Sequence, residues 1–474
     1  MNLKITEYDL KVFELFQILS KTEKKKFELF LNSPYFNTRK DLIRLYEAFF
    51  EREKLDNLKS RKDLYNFIYP TKKYNDADLR QVCNAFHNEL KFFLSIDQFN
   101  KDSRLHQLKL IDSLKTRTDK EIFDRYLPQD LNDDFLSSTN LYYKYQFQLE
   151  RFEFNSKLSR KDTNHLNEAS HSLNEFCITE TLRLACHFIA NTNILKEEIQ
   201  LLLLDFTLEY SKSHFKSLNK LNKFYYLIYN LNLDFENTAE YSQLKEYFLN
   251  EISSLEFQTK KEITLMLINY CIRQINTGKT QFNNEAFTFY KTGLEESLLI
   301  EKKQMSVFTY KNIASLAMTS GKYTWAENFL NEYKSFLPKK ERENAYQFNI
   351  SIFYFRQNKY DEAMALLRSV EFKDVFDNLM SRRMLLRIYL EKDYTEALES
   401  LLESFNTYLR RQYKLVYHKI PYKKLIQYVK KYIQIPGYAI EEFHDLIKTI
   451  RNDSVFPEKN WFIEYIERKN INRS

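Results

Sequence analysis

The residues with the richest chemistry in this sequence form no complete catalytic motif. Gly278-Lys279-Thr280 has the ending of a phosphate-binding loop, in which backbone amides cradle phosphate and the lysine reaches toward it. The full loop needs a glycine five residues earlier, where Arg273 stands, and a leading strand, where apolar periodicity predicts a helix over Ile263–Arg273. Gly278 therefore reads as a helix stop. His171, Cys177, Cys186 and His187 are a cluster of metal-ligand types, but their spacing fits no zinc module, and 171, 177 and 186 do not share a helical face. No Ser or Cys stands in a sharp Gly-flanked turn, and no histidine has an evident orienting partner. The expectation is a non-enzymatic chain with no catalytic residue, metal or cofactor.

Charged side chains give two further candidates. A long helix predicted over Asn75–Asp97 carries an apolar stripe of Leu79, Val82, Phe86, Leu90 and Phe93. Its opposite face holds Arg80, Asn84, His87, Asn88 and Lys91. Arg and Asn suit guanine and adenine edges, so a short helix over Arg61–Tyr69, a turn and this helix have the pattern of a DNA-reading pair. Ser60–Leu94 resembles the winged helix-turn-helix placed ahead of helical repeats in some bacterial regulators, although no wing hairpin follows Leu94. A solvated helix face explains the same residues, and Asp76, Asp78 and Glu89 put negative charge beside them.

The second candidate is Ser404–Ile440, which holds Arg410, Arg411, Lys414, Lys419, Lys423, Lys424, Lys430 and Lys431 and no acidic residue. These charges exceed the net +7 of the chain, so the remainder is near neutral. Tyr408, Tyr413, Tyr417, Tyr422, Tyr428 and Tyr432 interleave with them, a mix suited to phosphate backbones or an acidic partner. The alternative is a capping helix pair with Leu425, Ile426 and Val429 inward and the lysines in solvent.

The elements that must position these groups are helices. Between Val307 and Arg411, Tyr-x-x-Ala-x-x-x-Leu occurs as Tyr323/Ala326/Leu330, Tyr360/Ala363/Leu367 and Tyr394/Ala397/Leu401, with the alanines 37 and 34 residues apart. Each copy follows an amphipathic run (Val307–Ser320, Asn344–Gln357, Asn378–Leu390) and a break at Gly321-Lys322, Asn358-Lys359 or Lys392-Asp393. Positions i, i+3 and i+7 share a helix face, and a small Ala between larger residues lets a neighbouring helix approach. One such pair cannot bury its apolar face alone, so stacking is expected. A diverged copy is expected around Ala286.

This pattern resembles the tetratricopeptide repeat, whose second helix carries the same Tyr, Ala and bulky apolar spacing. The small residue expected early in each first helix is Ala314 or Ser351 but is Leu385 in the third unit, and Pro338 ends only the first. The resemblance implies an all-α solenoid that holds a protein or peptide in a concave groove lined by first helices. Carried onto this chain, the groove residues are Lys311, Asn312, Asn349, Arg356, Arg382 and Arg383, suited to a carboxylate or acidic segment.

Composition agrees with helices joined by short polar turns. Gly is only 4 and Pro only 7 in 474 residues, against usual frequencies of about 7% and 5%. Phe (40) and Tyr (34) are abundant, as are Lys, Asn and Ile, the bias of an AT-rich bacterial genome, and the aromatics serve as seam fillers. The polar start Met1–Leu10 predicts no signal peptide, no apolar run approaches a membrane span, and four scattered cysteines read as reduced core residues, so a cytoplasmic chain is expected. The expected organisation is a helical domain over 1–100, degenerate helical pairs over 101–300, the clear repeats over 301–411 and a basic cap over 412–474. Two functions are carried forward: a scaffold for a protein partner, and a DNA-binding regulator using Arg80, Asn84, Asn88, Lys91 and the basic segment.

Overall fold

The computed structural model describes residues 11–50, 60–128, 136–158, 164–192, 201–234, 238–371, 374–412, 419–454 and 456–471. Met1–Leu10, Tyr413, Lys414 and Tyr417 lie outside them. Among the described residues the chain is all-α. It has no strand, only the single bridge between Glu301 and Gln304. None of the described helices is long and apolar enough to cross a membrane. Contacts divide the chain into two units, Met1–Leu184 with Gln200–Lys223, and Ala185–Ile199 with Phe224–Ser474.

The first unit begins with α1 (Lys11–Gln17), α2 (Lys21–Asn32), α3 (Lys40–Phe50), α4 (Arg61–Ile68) and α5 (Asp76–Phe99). Local chemistry starts these helices. Ser20 and Glu23 cap α2 reciprocally, with Ser20 N–H donating to the Glu23 carboxylate at 2.8 Å and Glu23 N–H to Ser20 Oγ at 3.2 Å. Ser60 and Asp63 do the same for α4, and Asn75 accepts from Ala77 N–H at the start of α5. The turn between α2 and α3, which contains Pro34, is held by Asn37, whose buried amide donates to the carbonyls of Leu31 (2.8 Å) and Arg39 (3.0 Å). Apolar stripes of these helices meet in one aromatic core, where Phe27 lies edge-on to Phe86 with ring centres 5.3 Å apart. The expected stripe Leu79, Val82, Phe86, Leu90 and Phe93 is buried there. Further along are α6 (Ser103–Leu114), α7 (Lys120–Tyr126), α8 (Ser138–Leu158), α9 (Asn164–Thr192), whose last residues belong to the second unit, and α10 (Leu204–Ser213).

The second unit takes in most of α11 (Lys220–Leu233), then α12 (Thr238–Glu251) and a series of consecutive pairs. They are α13 (Phe257–Asn276) with α14 (Phe282–Glu295), α15 (Val307–Thr319) with α16 (Tyr323–Glu332), α17 (Arg342–Arg356) with α18 (Tyr360–Ser369), and α19 (Val375–Glu391) with α20 (Thr395–Arg411). Closing helices α21 (Lys419–Gln434), α22 (Ile440–Asn452) and α23 (Lys459–Ile471) follow. One backbone device recurs in all four pairs. The first helix ends at a left-handed residue, Gly278 (φ 93°), Gly321 (73°), Asn358 (60°) or Asp393 (54°). The amide that follows reaches five residues back to a helix carbonyl: Lys279 to Gln274, Lys322 to Ala317, Lys359 to Tyr354 and Tyr394 to Tyr389, at 2.9–3.1 Å.

Counted from that turn, the residue seven positions earlier is Cys271, Ala314, Ser351 or Leu386, each with no exposed surface. The third clear unit is thus registered on Leu386, one residue later than the Leu385 that the sequence suggests. Helix α15 packs on α17 as well as on its partner α16, and α16 on α17 in turn. Ala326 and Ala363 are fully buried at these seams. The third copy differs: Tyr394 is 42% exposed and Ala397 only half-buried. There the inward stripe is Leu398, Leu401, Leu402, Phe405 and Leu409, because α20 must meet both α19 and α21 in one core with α22 and α23. In α21, Leu425, Ile426 and Val429 do point inward.

Candidate arginine site on α17, α19 and α23

Arg356 is the last residue of α17, and Arg383 and Arg387 sit one turn apart on α19, so the latter two share a face. Glu458 immediately precedes α23 and adopts φ 63°, a left-handed conformation that costs a non-glycine residue about 1–2 kcal/mol. Its carboxylate lies 3.2 Å from Arg383 Nε and 3.0 Å from Arg387 Nη1. The Glu458 side chain is only 12% exposed, so this pair is held largely out of water. The Arg387 guanidinium also lies 4.8 Å from the Trp461 ring centre and 5.2 Å from that of Phe355, within cation–π range of both.

This arrangement is short of negative charge. The buried Nε atoms of Arg383 and Arg387 have no aligned hydrogen-bond acceptor among the described residues. Arg356 donates to Thr319 Oγ1 at 2.8 Å, a neutral partner. Burial lowers the Arg356 pKa and the Arg383 charge acts the same way, opposed by Tyr323 and Glu458. Two guanidiniums thus share the Glu458 carboxylate, with aromatic rings over one of them, and Arg356 feels that carboxylate only as a more distant charge. Such a set is chemically suited to an oxyanion, because planar guanidinium groups donate in forks that match carboxylate geometry.

The remaining groove residues expected from the sequence go elsewhere. Lys311 pairs with Asp377 of α19. The Asn312 amide lies at 3.5 Å from the Tyr290 hydroxyl. Asn349 is 2% exposed and donates to the Ala345 carbonyl of its own helix at 2.8 Å. Arg382 points to α20, donating to Ser404 Oγ at 3.1 Å and lying 4.9 Å from the Tyr408 ring centre. Sequence reasoning missed Arg387, which stands four residues after Arg383 on the same helix. It also missed Glu458 and Trp461, for which no local signal exists.

On α5, Arg80, Asn84, Asn88 and Lys91 are all exposed. Arg80 is tied back to Asp76 at 2.9 Å, and Asp76 also holds Arg61 at 2.6 Å. Helices α6 and α7 follow α5, with no hairpin among the described residues of that stretch. In the basic segment, Arg410, Arg411, Lys423 and Lys431 are exposed, Lys419 and Lys430 half-buried. Lys424 pairs with Asp453, which also accepts from the Tyr428 hydroxyl at 2.6 Å. Tyr428 and Tyr432 face the core, so they offer no stacking platform.

Gly278 does terminate α13, as its φ shows. On α9, burial pushes the Cys186 thiol pKa up, and its sulfur lies 3.2 Å from the Tyr225 carbonyl. His187 Nε2 meets Glu262 at 2.6 Å, so one histidine has an orienting carboxylate that the sequence did not reveal. Among the described residues no group of three or more His, Cys, Asp or Glu could hold a metal ion. No known protein family, curated protein or solved structure matches this chain.

Proposed function

We propose that this chain is a non-enzymatic helical-repeat scaffold, an α-solenoid of the tetratricopeptide kind, whose first helices hold an acidic segment of a protein partner. The recurrence of one left-handed turn through four pairs, and the packing of α15 on α17, support the repeat reading. The observation that carries the binding reading is the charge imbalance here: Arg383 and Arg387 share the single carboxylate of Glu458, and Arg356, which feels the charges of Arg383 and Glu458, has only a neutral hydroxyl as its hydrogen-bond partner among the described residues. Half-buried guanidiniums gain most from a partner carboxylate, since screening is weaker there than on an open surface.

A fluorescein-labelled polyglutamate peptide titrated into the full chain tests this by anisotropy. Arg387→Ala should weaken binding about tenfold, equivalent to about 1.4 kcal/mol, while Arg382→Ala, on the side facing α20, leaves it within about twofold. Equal binding by wild type and Arg387→Ala would refute the site.

The exposure of Arg80, Asn84, Asn88 and Lys91 along one face of α5 favours a second reading, a DNA-binding regulator. Duplex binding that falls steeply with salt is its signature, and absence of binding at low salt dismisses it.

A further inference from the structure

Glu458 deserves the question of why a non-glycine residue stays in a left-handed conformation. The turn before α23 places its carboxylate between Arg383 and Arg387, in the position an incoming carboxylate would take. Helix α23 is fastened independently of that contact. Trp461 Nε1 donates to Glu391 at 2.9 Å, Arg468 pairs with Glu391 at 2.6 Å, the Tyr465 hydroxyl donates to the Leu390 carbonyl at 2.9 Å, and Lys469 pairs with Asp393 at 2.7 Å. Phe462 and Ile466 are fully buried. Release of Glu458 alone therefore leaves α23 in place, with Trp461 still over Arg387.

Resting on the acidic-partner reading above, we infer that Glu458 is a built-in competitor: an acidic peptide segment enters the site by displacing its carboxylate and presents neighbouring carboxylates to Arg356, Arg383 and Arg387. Displacement exchanges one carboxylate for several, which the excess of positive charge favours, while the Glu458 carbonyl still accepts from Phe462 N–H at 2.8 Å and keeps the start of α23. The resting contact offsets part of the charge on Arg383 and Arg387 when no partner is present, so an isolated anion gains little by replacing it and a segment that supplies more than one carboxylate is favoured. The occupant is a peptide rather than a free ion because Arg356 is on a different helix from Arg383 and Arg387, and only a connected run of carboxylates engages both.

The test compares wild type, Glu458→Gln and Glu458→Asp full chains with labelled polyglutamate, with thermal melting and circular dichroism as folding controls. Glu458→Gln should bind about tenfold more tightly, while Glu458→Asp, which keeps the charge, stays within about threefold of wild type. Glu458→Gly removes the carboxylate and suits the left-handed backbone, so it serves where Glu458→Gln folds poorly. Unchanged affinity in the variant lacking the carboxylate overturns the inference. So does a variant that self-associates by mass without gaining affinity for the peptide, since the occupant is then a second copy. If wild type binds polyglutamate in an Arg387-dependent way but removing the carboxylate changes nothing, the inference fails and the acidic-partner reading stands. If no chain binds, both fail.

Discussion

The polar face of α5 and the arginine site of α17, α19 and α23 are both rich in cations, yet they differ in how their charges are held. On α5 the groups lie along one helix in open solvent, and the cation nearest its start is answered within the same helix, Arg80 by Asp76. At the arginine site the guanidiniums come from two helices and are half-buried, and their carboxylate comes from about seventy residues downstream. Charges in the first setting are screened and cheap to hold, whereas in the second one carboxylate is divided between two guanidiniums and the set retains a demand for an anion. Positive residues in a sequence thus say little about binding until their neighbours and depth are known.

Single substitutions sharpen this contrast. Arg387→Ala removes the better-aligned partner of a largely buried carboxylate and two aromatic contacts, so it should destabilise the chain by about 2 kcal/mol, read by denaturant unfolding. Gly321→Ala places a Cβ on a left-handed turn residue and should destabilise by about 1 kcal/mol in the same assay. Arg80→Ala, on the open face, should stay within about 0.5 kcal/mol of wild type. A loss for Arg80→Ala as large as that for Arg387→Ala would erase the distinction between the two regions.

Acid provides a finer test. Asp76 has its pKa lowered, first by the Arg61 hydrogen bond and also by Tyr74 and the Arg80 charge, against an opposing burial effect. A depressed carboxyl stabilises the fold above its unfolded value of about 3.9, and that contribution is lost as pH falls below it. Asp76→Asn should therefore flatten the acid limb of the melting-temperature profile. A profile unchanged by the substitution would mean that the Arg61 and Arg80 contacts are not maintained in solution.

Much of the helical organisation was legible from residue types. The breaks at Gly321-Lys322, Asn358-Lys359 and Lys392-Asp393 coincide with the left-handed turns, because Gly, Asn and Asp tolerate that conformation best. The pair α13 and α14 was obscure because Ala286 follows its turn glycine by eight residues, whereas Ala326 follows Gly321 by five, so a fixed motif loses register. In α20 the pattern named Tyr394 and Ala397, but packing against α21 turned Leu398 and Leu402 inward instead. Charge on first helices was enough to single out Arg356 and Arg383 as candidates, and the fold places both near Glu458. Asn349 could not be excluded that way, since nothing local distinguishes a polar residue aimed into the core from one aimed out. Glu458 was invisible for the plainest reason: it is distant along the chain and near only after folding.

Arg356 offers the most direct test of the central claim. Its described hydrogen bond is to a threonine hydroxyl, so Arg356→Ala leaves the Glu458 pair and the helix seams intact. The dissociation constant of labelled polyglutamate for the full chain should rise about tenfold in Arg356→Ala with helicity unchanged. An unaltered dissociation constant would contradict the proposal that this arginine cluster is where an acidic partner binds.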